Sequence, residues 1–368
     1  MNISRRTILL SLVSSAVFGI REARASLTPV KPFSFAFVTD VHLTNEMKDT
    51  HILFHESQLF LQEAVKSLNK LNPDFVIFGG DQVEGPGKDD VNWNLFVDIV
   101  QNLSCPWNFV LGDRDIASDS FMVDKMRTFG LDWKGKGIES ETPYWSTNPA
   151  HNVNLIGLDT SKNASKAGYV SGKQLAWLKD NLARNMSNFS IVFSHHPILA
   201  PSPYDGASPW SNYALEEAGA VREVLSTSPY VKLCLSGHVG VNKLSSEGGI
   251  YYVSAAGLAQ YPCSFKLFRV EPDRILMETY QVEFKALVNK SREALLESNL
   301  AYYYQKSNPK EYLKVAEGDK VDCDAELPLK GGMSPSYRRR DKVPDGKKDT
   351  SQKNDRVDKR KKRKFGLF

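Results

Sequence analysis

The chain is poor in cysteine, with four in 368 residues. Cys105, Cys234, Cys263 and Cys323 lack the close pairing of a thiolate metal site and are too few for a disulfide-dense scaffold. In an oxidising compartment they would allow three pairings, and the sequence does not choose between them; Cys234, inside an apolar run, reads as a small core residue. Membrane-spanning runs are also missing. The longest apolar stretch, near the N-terminus and ending at Ile20, falls short of the roughly 20 residues a span needs. No internal repeat is visible. Histidine is scarce, seven in all, so the places where it falls carry information.

A basic body is absent as well, although the formal net charge is +4. Residues 334–368 hold 14 Lys/Arg against 5 Asp/Glu, and the first 25 residues hold four Arg and one Glu. The remaining body is therefore acidic, with 29 basic against 37 acidic residues. The overall charge gives no argument for specific nucleic-acid binding. The tail, ending in Lys359-Arg360-Lys361-Lys362-Arg363-Lys364, has the composition of a solvated, disordered segment with an attraction to anionic surfaces.

The N-terminus has the form of an export signal. Arg5-Arg6 precedes the apolar run, and Ala23-Arg24-Ala25 supplies a small-residue cleavage site. A twin arginine marks the Tat route, so the expected partner is the Tat export machinery and the expected location is the periplasm. This divides the chain into residues 1–25 (signal), 26–305 (main domain), 306–333 (extension) and 334–368 (tail).

At 41% apolar content, the body can form one large α/β domain. Apolar, β-rich runs alternate with helical patterns. Strands are expected over 33–39, 75–78, 107–111, 153–158, 189–193, 231–235, 250–255, 265–270 and 274–282. Helices are expected over 59–71, 93–100, 171–182, around 215–225 and over 291–304. Ser171-Gly172-Lys173-Gln174 has the form of a capping box.

Five of these runs end in metal-binding or turn-forming residues. Val38-Thr39 leads into Asp40-Val41-His42, Ile77-Phe78 into Gly79-Gly80-Asp81, and Val110-Leu111 into Gly112-Asp113-Arg114-Asp115. Val192-Phe193 leads into Ser194-His195-His196-Pro197, and Leu235-Ser236 into Gly237-His238-Val239-Gly240. The carboxyl ends of strands in an open α/β sheet converge on one crevice, so these groups should meet. In an extended segment Asp40 and His42 would face one side, and the glycines before Asp81 allow a tight turn. Asp40, His42, Asp81, Asp113, His195 and His238 make a nitrogen and oxygen set suited to Mn, Fe or Zn. Two such ions about 3.5–4 Å apart can clamp a phosphoryl group and activate water. Four of the seven histidines lie in these groups; His51, His55 and His151 read as surface residues.

The order D-x-H, G-D, G-N-H-[DE], H, G-H-x-H resembles that of the calcineurin-like metallophosphoesterases, which include bacterial cyclic-nucleotide phosphodiesterases and purple acid phosphatases. The resemblance implies an α/β fold, a four-layer α/β/β/α sandwich of two mixed sheets flanked by helices. It also implies hydrolysis of a phosphorylated small molecule at a dinuclear site. Asp40 and His42 would hold the first metal, Asp81 would bridge, and His195 and His238 would hold the second, with Asp113 in place of an asparagine ligand. Arg114 and His196 are then the expected catalytic residues, His196 acting beside or behind the ligands.

Two positions depart from the family pattern. Arg114 replaces a proton-donating histidine; it keeps its proton near neutral pH but can pair with phosphate. Gly240 removes one ligand from the Asp40–His42 site, which should be the weaker one. A non-catalytic binding protein on the same fold is the competing reading.

Overall fold

The continuous apolar runs arise where strands are covered on both faces, as at Phe75–Phe78, Val153–Gly157 and Phe189–Phe193. The computed structural model describes residues 30–44, 48–85, 90–116, 142–202, 205, 213–304, 307–329 and 334–340. The expected export signal lies outside them, as does the tail beyond residue 340.

The chain opens with β1 (Phe33–Val38), α1 (Ser57–Leu71), β2 (Phe75–Phe78), α2 (Val91–Val100) and β3 (Trp107–Phe109). Next come β4 (Trp145–Thr147), β5 (Val153–Gly157), α3 (Gly172–Arg184), β6 (Phe189–Phe193), α4 (Ala218–Ser226) and β7 (Val231–Ser236). Four further strands are β8 (Lys243–Glu247), β9 (Ile250–Ser254), β10 (Ser264–Val270) and β11 (Arg274–Gln281). The C-terminal part adds α5 (Lys285–Glu297), α6 (Asn299–Tyr304), α7 (Lys310–Glu317), α8 (Lys320–Cys323), β12 (Ala325–Pro328) and β13 (Ser336–Tyr337).

Among the described residues the strands form two mixed sheets, ordered β13-β12-β11-β10-β1-β2-β3 and β4-β5-β6-β7-β9-β8. Their inner faces pack on each other. Phe35 meets Phe193 edge-on at 5.9 Å between centroids, and Phe37 stacks on the same ring at 6.1 Å. Strand alternation sorts the second sheet: Ile191, Phe193, Leu233 and Leu235 face the inter-sheet core, while Val192 and Cys234 pack with Leu178, Leu182, Val221 and Leu225 of α3 and α4. On the first sheet, Phe96 of α2 packs edge-on against Phe78 and Trp107. These contacts build the four-layer α/β/β/α sandwich with the parallel strand ends β1, β2, β3, β6 and β7 at one crevice.

Local chemistry sets the element ends. Asn72 closes α1 in the left-handed conformation, donating its N–H to the Leu68 carbonyl at 2.8 Å. Ser171 Oγ caps α3 by accepting from Gln174 N at 3.2 Å. Only that half of the expected capping box forms. The Gln174 carboxamide instead pairs with both backbone groups of Asp159, at 2.9 and 2.8 Å. The single helix expected over 291–304 is two, because Ser298 is extended between them and its Oγ accepts from Ala301 N at 3.3 Å.

The first sheet continues past residues 305 and 334. β12 pairs antiparallel with β11, and β13 pairs with β12. Arg340, expected in a disordered tail, donates Nε–H to Asp324 Oδ1 at 3.0 Å and lies over the Tyr280 ring at 4.6 Å. These strands are short edge pieces without an apolar run, so their membership comes from tertiary pairing. All four cysteines are free thiols, with Cys234 and Cys263 buried.

Candidate metal centre

Each expected ligand sits just past a strand end, and four of the six have backbone that few residues adopt. Asp40, His42, Asp81 and His238 have φ of 53°, 49°, 52° and 68°. Side chains held in this left-handed region need compensating contacts, and such residues concentrate at functional sites. The expected extended Asp40-Val41-His42 segment is therefore a coil. Asp40 N donates to the Gly80 carbonyl at 3.0 Å and His42 N to the Asp81 carbonyl at 2.9 Å, so the two loops lace together. Gly80 is required here: its φ is +98°, and a Cβ would lie 2.3 Å from His195 Nδ1.

The six predicted ligands come together as two groups that share Asp81: Asp81, Asp113, His195 and His238, and Asp40, His42 and Asp81. The first group has its lone pairs turned inward. His195 Nδ1 donates to the Gly79 carbonyl at 3.0 Å. Its Nε2 therefore faces Asp81 Oδ2 at 3.3 Å, Asp113 Oδ1 at 3.4 Å and His238 Nδ1 at 3.1 Å as an acceptor. Buried Asp113 Oδ1 has no hydrogen-bond donor. Acceptors gathered at this distance repel unless a proton or cation lies between them, so the donor set fits a metal ion.

Without a cation, protons take that place. Burial works to lower the His195 pKa, but Asp81 and Asp113 raise it well above its ordinary value. Burial also opposes ionisation of Asp113, yet the imidazoles of His195 and His238, 3.4 and 3.3 Å from its Oδ1, hold it far below the usual carboxylate range.

The second group is organised by a residue that the sequence reading missed. Glu84 Oε2 accepts from His42 Nδ1 at 2.8 Å, which leaves Nε2 as the ligand atom, 3.8 Å from both Asp40 Oδ1 and Asp81 Oδ2. The other Glu84 oxygen accepts from Arg114 Nε at 2.6 Å and is also bonded by Nη2. No spacing rule would have found Glu84; only the fold places it there. Asp115, in the sequence motif but without an assigned role, braces three loop amides. Its oxygens accept from Asp81 N at 3.0 Å, Gly112 N at 2.8 Å and Val83 N at 3.0 Å.

His42 gives a prediction for the metal-free protein. Burial tends to lower its pKa, but the Glu84 hydrogen bond and the charges of Asp81, Glu84 and Asp40 raise it from 6.5 to about 9. The imidazolium thus stabilises the fold fully below pH 6.5, and that contribution is lost as pH rises through about 9. Melting of metal-free protein should show a loss of a few kcal/mol over this window, and His42→Gln should flatten the profile. Added metal should reverse the slope, because it needs the deprotonated ring. A flat wild-type profile would contradict the assignment.

Two expected roles change. His196, expected to be catalytic, is fully buried, and both ring nitrogens are engaged: Nδ1 with Thr160 Oγ1 at 2.9 Å, and Nε2 donating to the Lys166 carbonyl at 3.1 Å. Burial, with the neighbouring His238 and His195, pushes its pKa well down. Its ring packs at 4.2 Å on that of His238, a contact suited to positioning that side chain. His51, read as a surface residue, is half-buried and lines the cavity over the centre; burial lowers its pKa to about 4. His55 and His151 are exposed as expected. Arg114 does line the cavity.

Position 240 has no room for a side chain. Val239 lines the cavity, and Gly240 has φ +67°. A Cβ there would lie 1.8 Å from Gln260 Nε2. The Gln260 carboxamide fills the space that a side chain at 240 would need, so Gly240→His cannot simply rebuild the missing ligand.

The profile of the calcineurin-like phosphoesterase family matches residues 33–242, more than half of the chain. A 3′,5′-cyclic-nucleotide phosphodiesterase of Nostoc sp. is 25% identical over 228 residues, which are 61% of this chain and 77% of that protein. A cAMP/cGMP dual specificity phosphodiesterase of Mycobacterium tuberculosis is 26% identical over 216 residues, 55% of this chain and 63% of the other. A dimetal phosphatase from Danio rerio shares the fold, with a TM-score of 0.57 at 16% identity, over 68% of this chain and 96% of that one. With the loops at five strand ends closing on one carboxylate-linked centre, and the family profile spanning those loops, the chain belongs to the calcineurin-like phosphoesterases, hydrolases that act on phosphoester bonds.

Proposed function

We propose that the protein hydrolyses phosphodiesters at two metal ions that share Asp81. The observation that carries this reading is Asp81 Oδ2, which faces His42 Nε2 and His195 Nε2 at 3.8 and 3.3 Å. Two bound ions would polarise the phosphoryl group and make a water acidic enough to attack at neutral pH. The chain supplies the rest. Glu84 fixes the tautomer of His42, Gly79 that of His195, and Asp115 holds the loops in register. Arg114, anchored through Glu84, keeps further N–H donors for phosphate oxygens. That both named relatives are phosphodiesterases supports diesters over monoesters. The test is release of 4-nitrophenolate from bis(4-nitrophenyl) phosphate and 4-nitrophenyl phosphate with Mn²⁺, Fe²⁺ or Zn²⁺. Turnover should require metal and favour the diester; no release with any of these metals would end the proposal.

Arg114 makes a second expectation. It cannot hand a proton to a departing alkoxide, so departure must rely on the leaving group's own acidity. Across a series of aryl diesters, kcat should rise steeply as leaving-group pKa falls. Arg114→His, which restores a donor, should flatten that dependence. Equal slopes in the two proteins would show that Arg114 does not set the leaving-group dependence.

The twin-arginine segment supports export by the Tat machinery to the periplasm, with a mature protein beginning near Ser26. Normal export of an Arg5→Lys/Arg6→Lys protein would count against it. The basic residues beyond 340 are proposed to contact an anionic surface, which salt-sensitive sedimentation with anionic vesicles would test.

A further inference from the structure

The cavity above the metal centre has a volume of about 340 Å³. That is the range of a small organic ligand rather than a bare phosphate group. Its floor is polar, with His42, Asp81, Asp113 and His238. Its far wall is not. Leu300 and Tyr304 of α6 and Tyr312 of α7 line it, with Ile52 and Phe54 beside them. Tyr304 and Tyr312 form a tilted ring pair, 4.6 Å between centroids, and Tyr312 is buried. Three of these five residues come from beyond residue 242, where the family profile ends. Lys166 and Arg114 line the same cavity as its cations.

Resting on the phosphoesterase reading, we infer that the C-terminal helices of this chain form a subsite for an aromatic or similarly flat, apolar ester group. The phosphate would lie at the floor and the organic group against Leu300, Tyr304 and Tyr312. Burying such a group is favourable in proportion to its apolar area, whereas a methyl group would leave the wall in contact with water. Phenylphosphonate and methylphosphonate, compared as competitive inhibitors of bis(4-nitrophenyl) phosphate hydrolysis, test this in the metal-loaded full chain. Phenylphosphonate should bind about tenfold more tightly. Leu300→Ala and Tyr304→Ala should each shrink that ratio several-fold, and Tyr304→Phe should retain it. Equal inhibition by the two phosphonates in the wild-type protein would overturn the subsite, independently of any variant. Absence of hydrolysis would instead remove the underlying phosphoesterase reading.

A separate observation concerns Gln260. It is 6% exposed, lines the cavity, and its carboxamide makes no hydrogen bond among the described residues. It lies where a side chain at position 240 would lie, and a Cβ built at Gly257 would be 2.9 Å from Asp40 Cβ and 3.0 Å from Gln260 Cγ, so it sits beside Asp40. Of the carboxamide atoms Nε2 lies nearest position 240, with Oε1 3.4 Å from a Cβ built there; with the amide turned end for end, the geometry points to Gln260 as the replacement ligand for the Asp40–His42–Asp81 ion, through its amide oxygen, a neutral hard donor of the kind that suits Mn²⁺. Mn²⁺ titration by calorimetry should show the weaker site losing about tenfold or more in affinity in Gln260→Ala, with Gln260→Glu restoring it. Unchanged Mn²⁺ affinity in Gln260→Ala would overturn the assignment. So would a rise in KM alone, which would make Gln260 a substrate contact.

Discussion

Asp81→Ala should lower kcat/KM for a phosphodiester by about a thousandfold or more. One oxygen, Oδ1, accepts from Arg114 N at 2.8 Å, and the other faces both histidine groups. Loss of the carboxylate thus removes a ligand from both cation positions and frees the loop that carries Arg114. Metal content measured on the same preparation should fall, while circular dichroism stays that of the folded protein. Asp81→Asn, which keeps the shape and loses the charge, should fall between the two. Near-normal turnover in Asp81→Ala would mean that the two groups of ligands do not act as one centre.

The second large effect is on stability. Asp115 is fully buried and accepts from three backbone amides, those of Asp81, Gly112 and Val83. Asp115→Ala leaves all three donors without partners, at about 1–3 kcal/mol for each buried group that water cannot reach. A loss of several kcal/mol is expected by urea unfolding, with Asp115→Asn recovering part of it. Because the same loops hold Asp81 and Asp113, metal affinity should fall in parallel. A variant as stable as wild type would show that Asp115 does not brace the loops.

Much of this arrangement was legible in the sequence because ligand chemistry and strand ends coincide. The strands at 75–78 and 189–193 were placed to the residue, since both faces are buried and the runs are continuously apolar. The six candidate ligands stand out as residues that follow such runs, and the fold brings them together. What could not be read depends on tertiary placement. Glu84 has no distinguishing spacing; it matters because its loop lies against His42 and Arg114. His196 has the same residue type as His195, and only the partners of its ring nitrogens separate a packing role from a ligand role. β12 and β13 are too short and too polar to signal a strand. The pairing of β12 with β11 and of β13 with β12, and the Arg340–Asp324 contact, turn part of an apparently unstructured tail into a sheet edge.

The export expectation and the surface-binding expectation rest on the composition of residues outside the described parts, and they stand apart from the account of the centre. The central expectation for the metal centre is that two ions share Asp81 and differ in affinity. The group with Asp81, Asp113, His195 and His238 offers four imidazole or carboxylate ligands, whereas Asp40, His42 and Asp81 are three, to which the inferred Gln260 contact would add only a neutral amide. Calorimetric titration of metal-free protein with Mn²⁺, followed in parallel by turnover of bis(4-nitrophenyl) phosphate, measures this directly. The account predicts two ions per chain, one bound at least about tenfold more tightly, with activity rising only as the weaker site fills; full activity with a single bound ion, or two sites of equal affinity, would contradict it.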